Sequence, residues 1–199
     1  MTEALLSSTY FGPVQWYQKL NRFDKCLIES QESFVKQTYR NRCVIATTNG
    51  MQSLTIPIEH GESRLMRDIR ISNHGHWRHL HWNALMSAYG ESPFFFFYSD
   101  DLHPFFEQPW DYLFDYNMAI TDKMCELIDF QPCLEITNNF TREAEHDYRE
   151  AIQPKHPLPD KGFTPRPYYQ VYAQKHGFLP NLSILDLLFN EGPEAILYL

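Results

Sequence analysis

Glycine is scarce in this chain, with eight residues among 199. The sequence contains neither G-x-x-x-x-G-K-[ST] nor G-x-G-x-x-G, the loops that usually hold nucleotide phosphates on backbone amides. No serine stands in the G-x-S-x-G turn of many hydrolases. These absences argue against the common nucleotide-cofactor and serine-hydrolase sites, and we predict no cofactor.

Positive charge is also scarce, since 17 Lys and Arg face 25 Asp and Glu, for a formal net charge of -8. Nucleic acids and anionic membranes are bound through basic surfaces, so this balance argues against both as partners. The apolar run at residues 93–98 is too short to span a bilayer. The first residues lack the basic segment and apolar run of a signal peptide, and we expect a cytoplasmic protein.

The cysteines and histidines form no common metal motif. The four cysteines include no C-x-x-C pair, and we predict reduced, buried thiols. In the stretch HGHWRHLHW, only His76 and His79 have the helical spacing of metal ligands, and no carboxylate follows them at such a spacing. We therefore predict no metal site and leave His81 open as a buried base or a structural histidine.

Hydrophobic periodicity predicts an α/β fold that opens with a β-α-β unit. Residues 4–8 and 24–29 have the composition of strands. A predicted helix of about ten residues separates them, with Pro13 suited to its start. This order favours a parallel pair of strands.

The rest of the chain is predicted to add a hairpin, several helices and a long loop. Asn49-Gly50 favours a tight turn. The predicted strands cover residues 43–48, 51–58, 68–72, 134–137 and 168–174, and the predicted helices cover residues 76–89, 94–106, 111–128, 184–190 and 193–199. We expect one domain over residues 1–199, with a mixed sheet packed by several helices. The Pro-rich loop at 154–167 is either a lid or a surface connector.

The segment VKQTYRNRC concentrates cations in an acidic chain. If it is extended, alternation places Lys36, Arg40 and Arg42 on one side and Asn41 on the other. Such cations are typical of a protected edge strand. Arg side chains also suit phosphate or carboxylate, so both interpretations stay open.

Three further polar residues lie on predicted helix faces. Ser183 and Asp186 fit a helix N-terminus with a capping hydroxyl and an early acid. Asn117 falls in the apolar stripe of the 111–128 helix, where a buried amide must find partners. We interpret Asn117 as a tether between the helix and a loop.

Several of these stretches together resemble the WbqC-like family. They are YFGPVQWYQKL, FDKCLIE, KQTYRNRCVI, LTIPI, the WRHLHW region and FLPNLSILDLLFNEG, which cover most of the chain from Tyr10 to Gly192. The family pattern often has His or Gln with Pro just before the first Tyr, where this chain has Ser7, Ser8 and Thr9. The 154–167 loop is the least family-like part.

The resemblance implies a bacterial cytoplasmic protein linked to O-antigen or other surface-polysaccharide biosynthesis, for which a glycine transferase role has been proposed. By motif position it implies catalytic roles for His81 and Asp186. It implies substrate-binding roles for Tyr10, Gln15, Lys36, Asn41, Arg42, Gln170 and Ser183, and Asn117 is a further family-like polar residue. It also shifts attention to Asn41-Arg42 and leaves Arg40 as a solvated residue.

Two functional hypotheses follow. In the first, the protein is a transferase acting on a nucleotide-activated or phosphorylated sugar, glycyl transfer to a sugar being one form. Cations of the 36–42 segment would hold a phosphate, His81 would take the acceptor proton, and Asp186 would orient it. In the second, the protein binds sugars or scaffolds a biosynthetic complex without catalysis. The sequence leaves the donor, the acceptor and the oligomeric state open.

Overall fold

The computed structural model describes residues 2–199 and begins with the predicted β-α-β unit. Strand β1 (Glu3–Ser7), helix α1 (Val14–Arg22) and strand β2 (Lys25–Glu29) follow in order. The two strands pair in parallel, with β5 (Leu134–Ile136) parallel to β2 on its far side. The sheet order is therefore β1-β2-β5, and all three strands end at the same edge.

A fourth segment extends this sheet beyond β1. Leu5 forms a single parallel bridge with Asp147. The Leu5 amide donates to the His146 carbonyl at 2.9 Å, and the Tyr148 amide donates to the Leu5 carbonyl at the same distance. The chain that follows Tyr148 therefore leaves the sheet at the edge where β1 ends.

The predicted hairpin forms a separate two-stranded sheet. Strands β3 (Arg42–Thr47) and β4 (Gly50–Thr55) are antiparallel, with Thr47 opposite Gly50. The loop is therefore Thr48-Asn49, and Gly50 has a φ of 100°, which suits a residue without a Cβ. The predicted α/β class, the β-α-β opening and the hairpin are confirmed.

Helices cover both sheets and enclose an aromatic-rich core. They are α2 (Trp77–Tyr89), α3 (Phe95–Leu102), α4 (Pro104–Glu107), α5 (Leu113–Ile128), α6 (Ala173–His176) and α7 (Ile184–Glu191), with 3-10 turns at Met66–Asp68, His74–His76 and Gly192–Tyr198. Pro104 separates α3 from α4, as expected for a residue without an amide proton. No helix within residues 2–199 is long and apolar enough to cross a membrane.

Asn117 ties α5 to the polar end of the parallel sheet. Its side chain is fully buried, and its amide donates to the Arg40 carbonyl at 2.8 Å and to Ser8 Oγ at 3.3 Å. The predicted tether is confirmed. It fixes the segment after β1 relative to the segment before β3.

Two predicted strands and one predicted burial are wrong. Residues 68–72 form only single bridges, at Arg70 and Ile71, because each meets a different partner segment. Residues 168–174 bend into α6, since the side chains of this stretch turn inward to a buried carboxylate described below. The thiols are free, but Cys133 is exposed, whereas the other three are buried as predicted.

The Pro-rich loop is fastened to α1 by a buried ion pair. Lys19 Nζ lies 2.6 Å from Asp160 Oδ2, and both side chains are almost fully buried. Gln15 Nε2 donates to the same carboxylate at 2.9 Å. Although burial acts to raise the pKa of Asp160, these two contacts lower it below its ordinary value. The loop has no regular structure of its own. It is also held by Lys155 Nζ, which donates to Gln37 Oε1 at 3.1 Å, and by Arg166 Nη1, which donates to the Leu197 carbonyl at 2.6 Å.

Candidate functional site

The carboxyl ends of β1, β2 and β5 meet in a crevice lined by charged side chains. Ser7 ends β1, Glu29 ends β2, and Thr137 follows β5. In open α/β sheets, ligands bind in the crevice outside the carboxyl ends of the strands. The side chains gathered here therefore form the first place to look for a site.

A buried ion pair forms the centre of this crevice. Arg40 donates to both oxygens of the Glu32 carboxylate, from Nε at 2.8 Å and from Nη2 at 2.6 Å. Arg40 Nη2 also donates to Ser7 Oγ at 2.8 Å, which joins the pair to the end of β1. Such a fork-to-carboxylate geometry satisfies both charges at once.

This ion pair corrects the prediction that Arg40 is solvated, because its side chain is only 5% exposed. The prediction of an extended cationic strip is also wrong, since residues 36–41 form turns and β3 begins only at Arg42. Gln37 has a φ of 62°, which breaks the alternation of a strand. Arg40 and Thr38 consequently point into the protein, and Lys36 points into solvent.

A second arginine closes the other side of the crevice. Arg149 Nη2 lies 2.6 Å from Asp147 Oδ2, and Arg149 Nη1 lies 3.8 Å from Glu29 Oε2. The Arg149 guanidinium also stands 5.3 Å from the centre of the Phe140 ring. Glu29 is fully buried and accepts from Thr137 Oγ1 at 2.6 Å. Both arginines are therefore neutralised by carboxylates.

An open groove of about 460 Å³ borders both arginines, and we call it the acidic groove. Its other lining residues include Glu32, Ser33, Val35, Phe140, Asp147 and Glu150. Glu32 and Asp147 are paired with the arginines, whereas Glu150 makes no ion pair within residues 2–199. The groove thus offers hydrogen-bonding groups, the Glu150 carboxylate, which is outside any described ion pair but accepts from Gln153 Nε2, and a half-exposed aromatic ring.

A second groove, of about 350 Å³, lies on the opposite side of residues 33–36, and we call it the basic groove. Ser33 and Val35 line the acidic groove, whereas Phe34 and Lys36 line the basic one, together with His60 and Arg64. The charged neighbour Glu59 is paired with Arg70. Lys36 and Arg64 make no ion pair in the described chain, so this groove presents two free cations.

His81 lies away from both grooves, in a buried pair with Tyr10. Tyr10 Oη and His81 Nδ1 lie 2.9 Å apart and share one hydrogen bond. Trp77 packs edge-on against the imidazole, at 5.1 Å between ring centres. Burial lowers the pKa of His81 to about 4, so the ring is neutral near pH 7. Tyr10 is fully buried and its pKa is raised by the same desolvation.

Asp186 is the centre of a different buried cluster. Its carboxylate accepts from Tyr89 Oη at 2.8 Å, Tyr168 Oη at 2.6 Å and Gln170 Nε2 at 2.9 Å. Burial raises the pKa of Asp186 although these donors act to lower it. Asp186 was predicted to orient His81, but none of these three hydrogen-bond partners is His81. On α2, Tyr89 stands eight residues beyond His81, about 12 Å along the helix axis.

The remaining predicted site residues mainly form hydrogen bonds that join different segments of the chain. Gln15 bonds Asn181 and Asp160, and Gln170 bonds the backbone of Leu179. Asn41 donates to the Ile56 carbonyl, and Arg42 Nε donates to Thr55 Oγ1. Ser183 Oγ caps α7 by accepting from the Leu185 amide and itself donates to the Phe11 carbonyl. Among the predicted site residues, the structure therefore brings Tyr10 into contact with His81 and Gln170 into contact with Asp186. Lys36 is the one predicted site residue that lines the basic groove.

The sequence reasoning missed the charged residues of the acidic groove. Glu32, Arg149 and Glu150 belong to no motif, and the last two stand in a stretch without clear periodicity. One available signal was position, because Glu32 follows the predicted strand at 24–29. Polar residues just beyond a parallel strand are candidates for a site.

The chain is similar to known proteins over nearly its whole length. The WbqC-like protein family matches residues 8–154 and 162–198. The chain therefore belongs to the WbqC-like protein family, and the interruption falls inside the Pro-rich loop. It is also 26% identical over 226 aligned residues to the uncharacterized protein Rv1507c of Mycobacterium tuberculosis, covering 98% of this chain and 96% of that protein. No solved structure matches the chain.

The buried neutral histidine predicts a specific pH dependence of stability. The pKa of His81 falls from 6.5 to about 4 on folding. As the pH is lowered, the imidazole is therefore protonated in the unfolded chain at a higher pH than in the folded protein. The free energy of unfolding is therefore highest above pH 6.5 and decreases as pH falls toward 4, by at most about 3 kcal/mol from this group. His81→Gln removes this part of the slope in urea unfolding series, whereas the exposed His79→Gln leaves it unchanged. Equal slopes in wild type and His81→Gln would contradict the burial of a neutral imidazole.

Proposed function

We propose that this protein is a transferase of bacterial surface-polysaccharide biosynthesis that holds two substrates in the acidic and basic grooves. The observation that carries the proposal is the contrast between the grooves on the two sides of residues 33–36. One groove contains ion-paired charges and the Glu150 carboxylate, which makes no described ion pair, and the other contains two cations that make no described ion pair. The association of the WbqC-like family with O-antigen biosynthesis supports this substrate class.

The basic groove suits the phosphate of an activated donor. Lys36 and Arg64 have no competing carboxylate within 4 Å among the described ion pairs, so both charges are available to a ligand. Charge-assisted hydrogen bonds from such groups to phosphate are among the stronger polar contacts. The phosphate role predicted for Lys36 is kept in this proposal, with Arg64 in place of the buried Arg40.

The acidic groove suits a neutral sugar acceptor. Paired carboxylates and guanidinium groups present fixed acceptors and donors to hydroxyls, without the net positive charge that would favour a second phosphate. Phe140 is 52% exposed and offers a ring face for a sugar ring to pack on. Glu150 is the carboxylate placed to take the acceptor proton. The donor must extend from the basic groove past residues 33–36, so that the acceptor oxygen or nitrogen bonds the transferred carbon as the donor's phosphate leaves.

In this proposal, His81 and Asp186 are positioning residues. Asp186 holds residues 168–170 against α2 through Tyr168 and Tyr89. His81 holds Tyr10, whose amide donates to the Tyr39 carbonyl beside Arg40. The same reasoning assigns connecting roles to Gln15, Asn41, Arg42, Gln170 and Ser183.

A binding measurement tests the donor groove. Lys36→Ala is expected to weaken UDP-N-acetylglucosamine about tenfold, since one charge-assisted contact is lost. Raising the salt concentration is expected to reduce the difference, because these cations are exposed. Lys161→Ala is the matched control, as it removes an exposed cation of the Pro-rich loop. Isothermal titration calorimetry checks both variants, and equal affinities would rule out the basic groove as a phosphate site.

A turnover measurement tests the proton acceptor. Glu150→Gln is expected to reduce product formation by about 10²- to 10⁴-fold while sugar binding is retained, because it removes only the basic oxygen. Mass spectrometry of reactions that contain a nucleotide sugar and a sugar acceptor detects sugar transfer, and reactions that contain a phosphate-activated glycyl donor and the same acceptor detect glycyl transfer. Glu143→Gln, another exposed carboxylate, serves as the control.

The second candidate function is a non-catalytic sugar-binding protein of a biosynthetic complex. It is favoured by one observation, that His81 and Asp186 line neither groove. If wild-type protein binds a sugar and a nucleotide sugar but forms no product with any donor and acceptor offered, this function replaces the transferase. If Glu150→Gln instead turns over as fast as wild type, the protein is a transferase but Glu150 is not its proton acceptor.

A further inference from the structure

Two aromatic rings of α3 are exposed although this helix already has a complete buried side. The residues of the buried side follow helical spacing: Phe95, Tyr98, Ser99 and Leu102. Phe96 and Phe97 lie on the other side of the helix and are 74% and 72% exposed. Because the buried side anchors α3 to the core, the two exposed rings are not needed for that purpose.

The exposed rings are supported by the buried rings next to them. Phe96 packs edge-on against Phe95, and Phe97 packs edge-on against Tyr98, with 5.4 and 4.8 Å between ring centres. Together the two exposed residues present on the order of 300 Å² of mostly apolar surface, since one phenylalanine offers roughly 200 Å² in all. An apolar patch of this size on a protein surface often serves a partner. Rings that are already supported lose little freedom on binding.

Carboxylates border these rings on the same side of α3. Asp100 and Asp101 lie four residues after Phe96 and Phe97, which places each carboxylate about one helical turn from a ring. Both carboxylates are exposed, and neither makes an ion pair within residues 2–199. We call these four residues the α3 face.

The helices around the α3 face bring almost no positive charge to it. In the described chain, α3 packs against α2, α4 and α7. The one Lys or Arg on these four helices is Arg78, in the first turn of α2, where it stacks on Trp77. Residues 79–122 contain seven Asp and Glu and no Lys or Arg. The α3 face is therefore apolar at its centre and negative around it.

This charge pattern decides which kind of molecule the α3 face suits. Two copies that met through this face would bring two carboxylates each into one contact, in a chain whose net charge is already -8. An anionic membrane is repelled by the same carboxylates. A protein surface with an apolar cleft bordered by Lys or Arg complements both the rings and the carboxylates.

We propose that the α3 face docks a partner protein through an apolar cleft with a basic rim. The cleft takes the rings of Phe96 and Phe97, and Lys or Arg side chains of the partner pair with Asp100 and Asp101. None of these four residues lines the acidic or the basic groove. The inference therefore stands independently of the proposed function.

A designed peptide tests the chemistry of this surface. The probe is a fluorescein-labelled amphipathic helix with a leucine face bordered by lysines, and a second peptide has glutamate at every lysine position. Fluorescence anisotropy with the full chain measures both affinities. Wild type is expected to bind the lysine peptide at least about tenfold more tightly than the glutamate peptide.

Two double variants separate the apolar part of the contact from the charged part. Phe96→Ser/Phe97→Ser is expected to weaken the lysine peptide about tenfold or more, since both anchors are lost. Asp100→Asn/Asp101→Asn is expected to weaken it by a smaller factor that shrinks as salt is raised. Leu158→Ser is the matched control, because Leu158 is 59% exposed and its amide donates to the Glu150 carbonyl at 3.0 Å, beside another carboxylate. This control is expected to bind as wild type does.

The substituted side chains are all exposed, so each variant is expected to keep the Tm of wild type. Equal affinity of the lysine peptide for wild type and Phe96→Ser/Phe97→Ser overturns the proposal, and so does an equal loss in Leu158→Ser. Two other results also overturn it. A dimer in sedimentation velocity that is lost in Phe96→Ser/Phe97→Ser would assign the face to a second copy. Binding to phosphatidylcholine vesicles that is lost in the same variant would assign it to a membrane.

Discussion

The bidentate ion pair between Arg40 and Glu32 is the contact on which the polar end of this protein depends. Both side chains are buried, and a buried charge is tolerated only when its partner and its hydrogen bonds are all present. The pair joins the turn before β3 to the chain after β2, and through Ser7 to the end of β1. It thereby fixes the ends of residues 33–36, the segment that separates the two grooves.

The candidate site follows from that constraint. Because Arg40 and Arg149 are paired with carboxylates, neither is available to an anion in the acidic groove, and Lys36 and Arg64, which make no ion pair in the described chain, line the groove on the other side of the segment. Two buried polar contacts tie other segments to α2: the pair of Tyr10 and His81 joins the segment before α1 to α2, and the Tyr89–Asp186 bond joins α7 to α2.

Local pattern was enough to predict the β-α-β unit, the hairpin, α5 and the cap at Ser183, because each leaves its signal in a short stretch of sequence. The tether Asn117 could be predicted because a polar residue in an apolar stripe must find partners, but its partners Ser8 and Arg40 could not. The 36–42 segment could not be read this way. Its alternation is that of a strand, but Gln37 turns the chain and Glu32 draws Arg40 inward, which is a tertiary effect. Arg149 and Glu150 were missed because the pairing of Asp147 with β1 leaves no periodic signal in the sequence.

Amide chemical-shift mapping by NMR tests the two-groove arrangement most directly. Titration of isotope-labelled protein with N-acetyl-D-glucosamine should shift residues 31–33 and 147–150, whereas UMP should shift Phe34, Lys36 and Arg64. The two sets of shifted amides should meet only at residues 33–36. Overlapping shifts from both ligands in one groove, or shifts centred on His81 and Asp186 instead, would contradict it.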